Sequence, residues 1–392
     1  MLEDREITSG SSRHGLIASS DTCEFPGRHT LKISIVITVY NYERYVGLAI
    51  DSALNQTRPA DEIVVVDDGS IDGSRQIIAG YGDRIRAIFQ ANQGNIAAFE
   101  VGYRKATGDV LLFLDADDIL LPTAVEAVVA HWHEGVSKVQ FNLEIIDGVG
   151  TALGRSFCAF PKSYTSDDVH AEFIRSGTYI WPVMSGNAYS REFLRQVIPL
   201  NPPVGYDGAL NTIAPLYGDV VTVQATLGQY RLHGRNISRN DAKGSAQRFP
   251  DFPRQIGFRV AEFDILKAHC DRKSVHVQAA RPIDNEIVFI NYRLASRKLG
   301  LKYVGQEADR LSSLLRRGIW LALTETIGWR AAASHIAWFI ALFLSPSGVA
   351  QRLIMLRFNR AELLRSFRRV VDIMKRKQAS THGTAGRGKT PL

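Results

Sequence analysis

Three carboxylates fall within four residues, Asp115, Asp117 and Asp118, at the end of the segment Phe113-Leu114-Asp115-Ala116-Asp117-Asp118. The preceding run, Val110 to Leu114, is continuously apolar and reads as a strand buried in a parallel sheet. Acids crowded at the mouth of such a strand repel one another, and burial of their charge is tolerated only when it is paired or when a cation binds. An Asp-X-Asp at the C-terminal end of a strand is therefore a candidate divalent-metal site. Asp118 fits equally well as a helix N-cap or a supporting acid.

The elements that must hold these acids alternate. Ile33 to Val39 is a β-branched run, and Val46, Ala49, Ile50 and Ala53 follow at helical spacing. Ile63 to Val66 is a second run, ending in Asp67-Asp68-Gly69-Ser70. Further strands near Ile85 to Phe89 and Val110 to Leu114, with helices from about Asn95 to Ala106 and from Pro122, continue the pattern. Repeated βα units predict a parallel sheet covered on both faces, whose ligands bind beyond the carboxyl ends of the strands. Thr38 to Asn41, Asp67-Asp68, Asn92-Gln93-Gly94 and Asp115 to Asp118 all fall at such ends. From Val136 to Tyr230 the pattern becomes mixed. Short strands, a break at Trp181-Pro182 and helices near Asp167 to Arg175 and Asp207 to Tyr217 are expected there, with Trp181 and Ser185-Gly186-Asn187 as a possible acceptor platform or simple core packing.

The chain has 392 residues, more than one typical domain of roughly 100–200. Its 45% hydrophobic and 22% charged residues match an ordinary soluble protein. Acids in MLEDREITSG stand where an export signal carries bases, and Cys23, Cys158 and Cys270 lie far apart, so a cytoplasmic chain with reduced thiols is expected. Residues 301–392 hold 16 Lys and Arg against 5 Asp and Glu, a net +11 within a total of +7, which leaves −4 for residues 1–300. After residue 250 the pattern is helical. Ala331 to Leu344 is apolar but spans only about 21 Å, too short for a hydrocarbon layer roughly 30 Å thick. Leu353, Leu356, Leu364, Phe367, Val371 and Met374, interleaved with arginines, predict a basic amphipathic helix that lies on an anionic membrane surface or packs on the protein's own core. Basic residues are not interleaved with aromatic ones in a stacking platform, so no nucleic-acid partner is expected.

With Asp67-Asp68-Gly69-Ser70, Asn92-Gln93-Gly94, Gly108-Asp109, Leu114-Asp115-Ala116-Asp117-Asp118 and Tyr230-Arg231-Leu232-His233-Gly234-Arg235-Asn236 in this order, residues 32–240 resemble family 2 glycosyltransferases of the GT-A fold. The resemblance implies an α/β fold, a GT-A-type Rossmann-like mixed sheet flanked by helices, with a C-terminal α-helical extension. Together with the polar ends and the helical pattern after residue 250, it divides the chain into a disordered tail (1–31), a GT-A domain (32–245), a helical extension (246–330), amphipathic, basic membrane-associating helices (331–377) and a second disordered tail (378–392).

It also implies an inverting transfer from a nucleoside-diphosphate sugar to a saccharide or glycolipid hydroxyl in cell-envelope polysaccharide synthesis, on the inner face of the plasma membrane. Thr38, Tyr40, Asp67, Asp68, Asn92, Asp115, Ala116 and Arg231 would bind the donor. Asp115 and Asp117, with His233, would hold Mg2+ or Mn2+, and Asp207 would be the catalytic base. Tyr206 departs from the commoner Glu-Asp pair at this point. Without the family, Asp67-Asp68-Gly69 reads as a strand-ending turn and Asp207 as a helix N-cap.

Two rival classes are a sugar nucleotidyltransferase, which would carry a Gly-rich basic loop where Thr38-Val39-Tyr40-Asn41-Tyr42 stands, and a non-catalytic nucleotide-sugar-binding membrane module. Gly383 to Thr390 spells a phosphate-loop pattern, but without a preceding strand and following helix the spelling has no mechanism.

Overall fold

The computed structural model describes residues 30–158, 160–202, 205–233, 251–324 and 328–358. The described residues from Lys32 onward belong to one compact unit. The first half follows the expected alternation: β1 (Ile33–Val39), α1 (Val46–Leu54), β2 (Glu62–Asp68), α2 (Ser74–Ala79), β3 (Arg86–Gln90), α3 (Asn95–Lys105) and β4 (Val110–Asp115). Then come β5 (Ile119–Leu120), α4 (Ala124–Ala130), β6 (Val136–Asp147), β7 (Ala152–Ser156), α5 (Ser166–Ser176), β8 (Asn187–Ser190), α6 (Arg191–Val197), α7 (Tyr206–Ile213) and β9 (Asp219–Leu232).

Among the described residues nine strands form one sheet in the order β3-β2-β1-β4-β8-β6-β9-β5, with β7 on the side of β6. β1, β2, β3 and β4 are parallel, while β8 runs antiparallel to both β4 and β6. The sheet is mixed, as the GT-A resemblance implies. The register sets Thr38 beside Asp115 and Val39 beside Asp67, so the polar ends of three strands share one edge.

The second half differs from the expected short strands. β6 runs for 12 residues and β9 for 14, paired in parallel over most of their length. Their sequences hide this because Ser137, Lys138 and Gln140 are buried polar residues, so neither a continuous apolar run nor clean alternation appears. The expected helix to Tyr217 ends at Ile213, where Ala214-Pro215-Leu216 tightens into a 3-10 turn.

One large core lies on the α3 side of the sheet. Phe99 of α3 stacks between Phe113 of β4 (4.0 Å) and Tyr206 of α7 (4.3 Å). The same core includes Ile256, Phe263 and Leu266 of α8 (Phe252–Lys273), so the first helix of the extension completes the main body. Beyond it, α9 (Ile287–Leu299), α10 (Leu311–Thr324), α11 (Trp329–Leu344) and α12 (Ser347–Phe358) pack on one another around Phe252, Leu294, Leu321, Phe339 and Ile354. Among the described residues no helix is long and apolar enough to cross a membrane. The tail before Thr30, most of the amphipathic run after Phe358 and residues 378–392 lie outside the described residues.

Phe99→Ala removes the middle ring of a three-ring stack joining α3, β4 and α7. It is expected to cost about 3–5 kcal/mol in urea denaturation.

Candidate active site

β4 delivers Asp115 to the carboxyl edge of the sheet, and the chain turns through buried Ala116, leaving Asp117 at 7% and Asp118 at 1% exposure. Asp118 is fully engaged: its Oδ2 accepts from Ser185 Oγ at 2.6 Å and its Oδ1 from the Arg231 N–H at 2.9 Å. Ser185 Oγ also accepts from the Asp115 N–H at 3.1 Å, so one hydroxyl fixes both ends of the turn. Asp118 is not the N-cap of α4, a position that Thr123 occupies.

Arg231 lies beneath the acids. Its Nε donates to the Asp117 carbonyl at 2.8 Å, a terminal nitrogen donates to the Asp147 carbonyl at 3.4 Å, and its guanidinium stacks over Tyr45 at 4.9 Å. His233 Nε2 lies 2.8 Å from Asp117 Oδ2, with the ring against Tyr45 (5.1 Å) and Tyr42 (6.1 Å).

Burial, then the charge of Asp117, pushes the Asp115 carboxyl up to about 7. Asp118 is raised well above the usual carboxylate range by burial and by both neighbouring acids, against the opposing Ser185 and Arg231 hydrogen bonds. These carboxylates are held together by the fold against their own repulsion, and a cation among them would relieve it.

Asp207 occupies the first turn of α7, one residue inside the helix, since Gly205 is the N-cap. Its Oδ1 accepts from Asn211 Nδ2 at 2.8 Å. Burial raises its carboxyl well above the ordinary range, Asp115 and Glu262 raise it further, and Lys138 and the Met184 N–H oppose them. The Met184 N–H meets Asp207 while the next residue's hydroxyl, on Ser185, holds Asp115, so one short turn touches both α7 and β4. Glu262 of α8 presses on the next residue: a Cβ on Gly208 would lie 1.9 Å from its Oε1. Arg259 holds Glu262 at 2.8 Å and also binds Glu286 and Thr212.

On the opposite side, Asp68 holds the loop between β3 and α3, accepting from Gln90 Nε2 (2.7 Å), the Gln93 N–H (2.9 Å) and the Gly94 N–H (2.8 Å). Gly69 has φ +74°, and a Cβ there would lie 2.6 Å from the Asn92 nitrogen, so only glycine lets the two loops meet. Asp67 accepts from the Ser70 N–H at 3.3 Å, while its Oδ2 is buried with no hydrogen-bond partner among the described residues. Thr38 is half-buried, and Tyr40 and Asn92 are exposed beside these loops.

The glycosyl transferase family 2 model matches residues 34–194. A curated relative, the uncharacterized glycosyltransferase alr2836 of Nostoc sp., is 38% identical over 226 residues, covering 55% of this chain and 70% of that protein. The chain belongs to glycosyl transferase family 2. Glycosyltransferase GlyA of Streptococcus pneumoniae is 28% identical over 226 residues, which is 53% of this chain and 32% of GlyA. Among solved structures, S. aureus TarS 1–349 in complex with UDP-GlcNAc aligns over 83% of this chain and 90% of its own, at 16% identity and a TM-score of 0.48. Mannosyltransferase PcManGT from Pyrobaculum calidifontis, in complex with GDP-Man and Mn2+, aligns over 83% of this chain and 86% of its own, at 17% identity and a TM-score of 0.45.

In this family 2 glycosyltransferase, among the described residues, no three His, Cys, Asp or Glu side chains form a ready-made metal cage. The oxygen donors nevertheless suit Mg2+ or Mn2+, because such ions keep several waters and bind through one or two carboxylates together with substrate phosphates. Asp115 and Asp117 meet that description, with His233 against Asp117.

Asp68, expected at the donor, accepts two loop hydrogen bonds at Oδ1 and one at Oδ2, which leaves Oδ2 capacity for a further donor. Arg231 serves the carbonyls beneath the acids. Trp181 packs half-buried near the Arg259 guanidinium at 5.5 Å, and Ser185 ties the acids together. The sequence analysis missed Tyr42, Tyr45, Lys138, Asn211 and Glu262. None sits in a motif, and only the sheet order brings them to the crevice.

Asp68→Ala is expected to cost roughly 1–3 kcal/mol by stranding the donors it satisfies. Faster hydrogen exchange at the Gln93 and Gly94 amides would be the local sign.

Proposed function

We propose that this glycosyltransferase transfers a sugar, with inversion, from a nucleoside-diphosphate sugar to a hydroxyl of a saccharide or glycolipid in cell-envelope polysaccharide synthesis. The observation that supports the reading is that the Met184-Ser185 turn touches both groups, its Met184 N–H on Asp207 and its Ser185 hydroxyl on Asp115 and Asp118. An inverting displacement needs a proton acceptor on the face of the sugar opposite its leaving group.

Asp207 takes the acceptor hydroxyl's proton as attack begins, and its raised carboxyl suits that work. Thr38, Tyr40 and Asn92 line the nucleotide, and the unpartnered Oδ2 of Asp67 is an acceptor for a ribose hydroxyl or a base N–H. A divalent ion held by Asp115 and Asp117, with His233 beside them, would supply Lewis-acid neutralisation of the departing diphosphate. Arg231, Ser185 and Asp118 keep the turn in place.

Membrane association through the extension is part of the same reading. Leu323, Trp329 and Leu344 on α10 and α11 are 65%, 76% and 71% exposed, and the chain's positive charge is concentrated after residue 301. Apolar side chains beside a basic segment suit the inner, anionic face of a plasma membrane.

Thermal-shift measurement against UDP-, GDP- and dTDP-sugars should show a donor stabilising the protein more with Mn2+ than without. Asp207→Asn should lower kcat by about 10²–10⁴-fold while leaving that donor shift intact. Asp117→Asn should abolish the manganese-dependent part. Donor binding without turnover in the unaltered protein would support the non-catalytic module instead.

Changing Leu323, Trp329 and Leu344 together to Gln should weaken co-sedimentation with phosphatidylglycerol vesicles about tenfold or more. Undiminished pelleting would remove the membrane assignment.

A further inference from the structure

Asn211 is fully buried on α7, one turn after Asp207, and both ends of its amide are occupied. Nδ2 donates to Asp207 Oδ1 at 2.8 Å. Oδ1 accepts from Lys138 Nζ at 2.6 Å and from the Tyr189 hydroxyl at 3.2 Å.

An amide's two ends have nearly the same shape, so its orientation must be argued from its partners. Here the partners decide it. The Asp207 and Pro182 backbone carbonyls, 3.0 and 3.4 Å away on the Asp207 side, only accept, so the atom facing them must be the nitrogen. The oxygen end is then left for Lys138 and Tyr189.

Lys138 itself is hard to explain as packing. It is fully buried on β6, where an apolar side chain would fill the space without the cost of desolvating an ammonium. Its other acceptor is Gln140 Oε1 at 3.0 Å, and that amide is in turn fixed by Thr222 Oγ1 (3.0 Å) and the Ile180 carbonyl (3.1 Å). Tyr189 is the direct cross-strand partner of Lys138 in the β6–β8 register. The Tyr179 hydroxyl donates to the Asn211 carbonyl at 2.7 Å, and the Lys138 ammonium lies 5.0 Å from the Tyr179 ring. Two strands and the helix itself thus converge on a single side-chain amide, while Tyr179 bonds the backbone carbonyl of the same residue.

We propose that Asn211 is the positioning residue of Asp207, and that Lys138 and Tyr189 hold its amide so that the NH2 end grips one carboxylate oxygen of the base. The proposal rests on reading Asp207 as the base. Asn211 does not touch substrate. It fixes the carboxylate plane, so that the remaining lone pairs face the acceptor hydroxyl.

Asn211→Asp separates the two functions of the amide. A carboxylate of the same shape still accepts from Lys138 and Tyr189, but toward Asp207 it presents a like charge, or a shared proton, in place of the amide donor. Nucleoside diphosphate release from UDP-, GDP- and dTDP-hexoses should show kcat lowered about 10- to 100-fold and donor KM within about twofold, with Tm lowered because two buried acids then face each other. A substrate-free reading comes from the Asn211 side-chain 15N–1H signals, identified as those that Asn211→Asp removes. They should move in Asp207→Asn and in Tyr189→Phe. Tyr189→Phe keeps the core filled and should lower kcat about threefold, so it serves should Asn211→Asp fail to fold.

Near-normal kcat in Asn211→Asp beside an inactive Asp207→Asn would overturn the positioning role alone. Near-normal kcat in Asp207→Asn would overturn the base. Amide signals indifferent to Asp207→Asn would overturn the contact itself.

Discussion

Repulsion among Asp115, Asp117 and Asp118 dictates how the chain around them is built. At the end of a buried strand, burial and the neighbouring acids raise the proton affinity of Asp115 and Asp118, and the fold answers with donors from distant segments: the Ser185 hydroxyl, the Arg231 backbone N–H and the Arg231 guanidinium on the Asp117 carbonyl. Delivering them requires β8 to run antiparallel beside β4, and β9 to extend for 14 residues with Arg231 near its end. The mixed half of the sheet therefore serves the acids of the parallel half. Arg231 is spent on holding the turn, and what the turn then offers outward is the pair Asp115 and Asp117.

Parts of this were legible because they are local. Apolar runs at Ile33 to Val39, Ile63 to Val66 and Val110 to Leu114 mark strands buried on both faces, and the acids that end them stand consecutively in the sequence. β6 and β9 were harder to read. Ser137, Lys138 and Gln140 of β6 and Arg231 of β9 point into the protein, and a pattern rule assigns such residues to solvent. Lys138 is the clearest case, a lysine with no exposure whose partners are 2, 51 and 73 residues away, in that order Gln140, Tyr189 and Asn211. Nothing in its neighbourhood along the chain announces them. Asp207 was found through the resemblance, and Asn211, one helical turn on, was passed over as an ordinary helix residue.

Tyr206, where a glutamate is commoner in the family, has a packing role. Its ring stacks on Phe99, and its hydroxyl donates to Glu100 at 2.7 Å, which fastens the start of α7 to α3. A second carboxylate still comes close to Asp207, but from α8. Glu262, anchored by Arg259, faces the α7 backbone at Gly208 and adds to the charge that raises the Asp207 carboxyl. The helix that begins the extension thus belongs to the electrostatics of the crevice as well as to its core.

The fit at Gly208 limits how the molecule can be recombined. A lone glycine admits the tip of a side chain from another module, in the manner of a key in a notch, and that key is cut by Arg259, Glu286 and Thr212 together. A chimera joining this sheet to a relative's helices would present the notch with a foreign key or none, and Asp207 would then sit in a different local field even if every sheet residue near it were retained. Inheritance of the two halves is coupled at one missing methyl group.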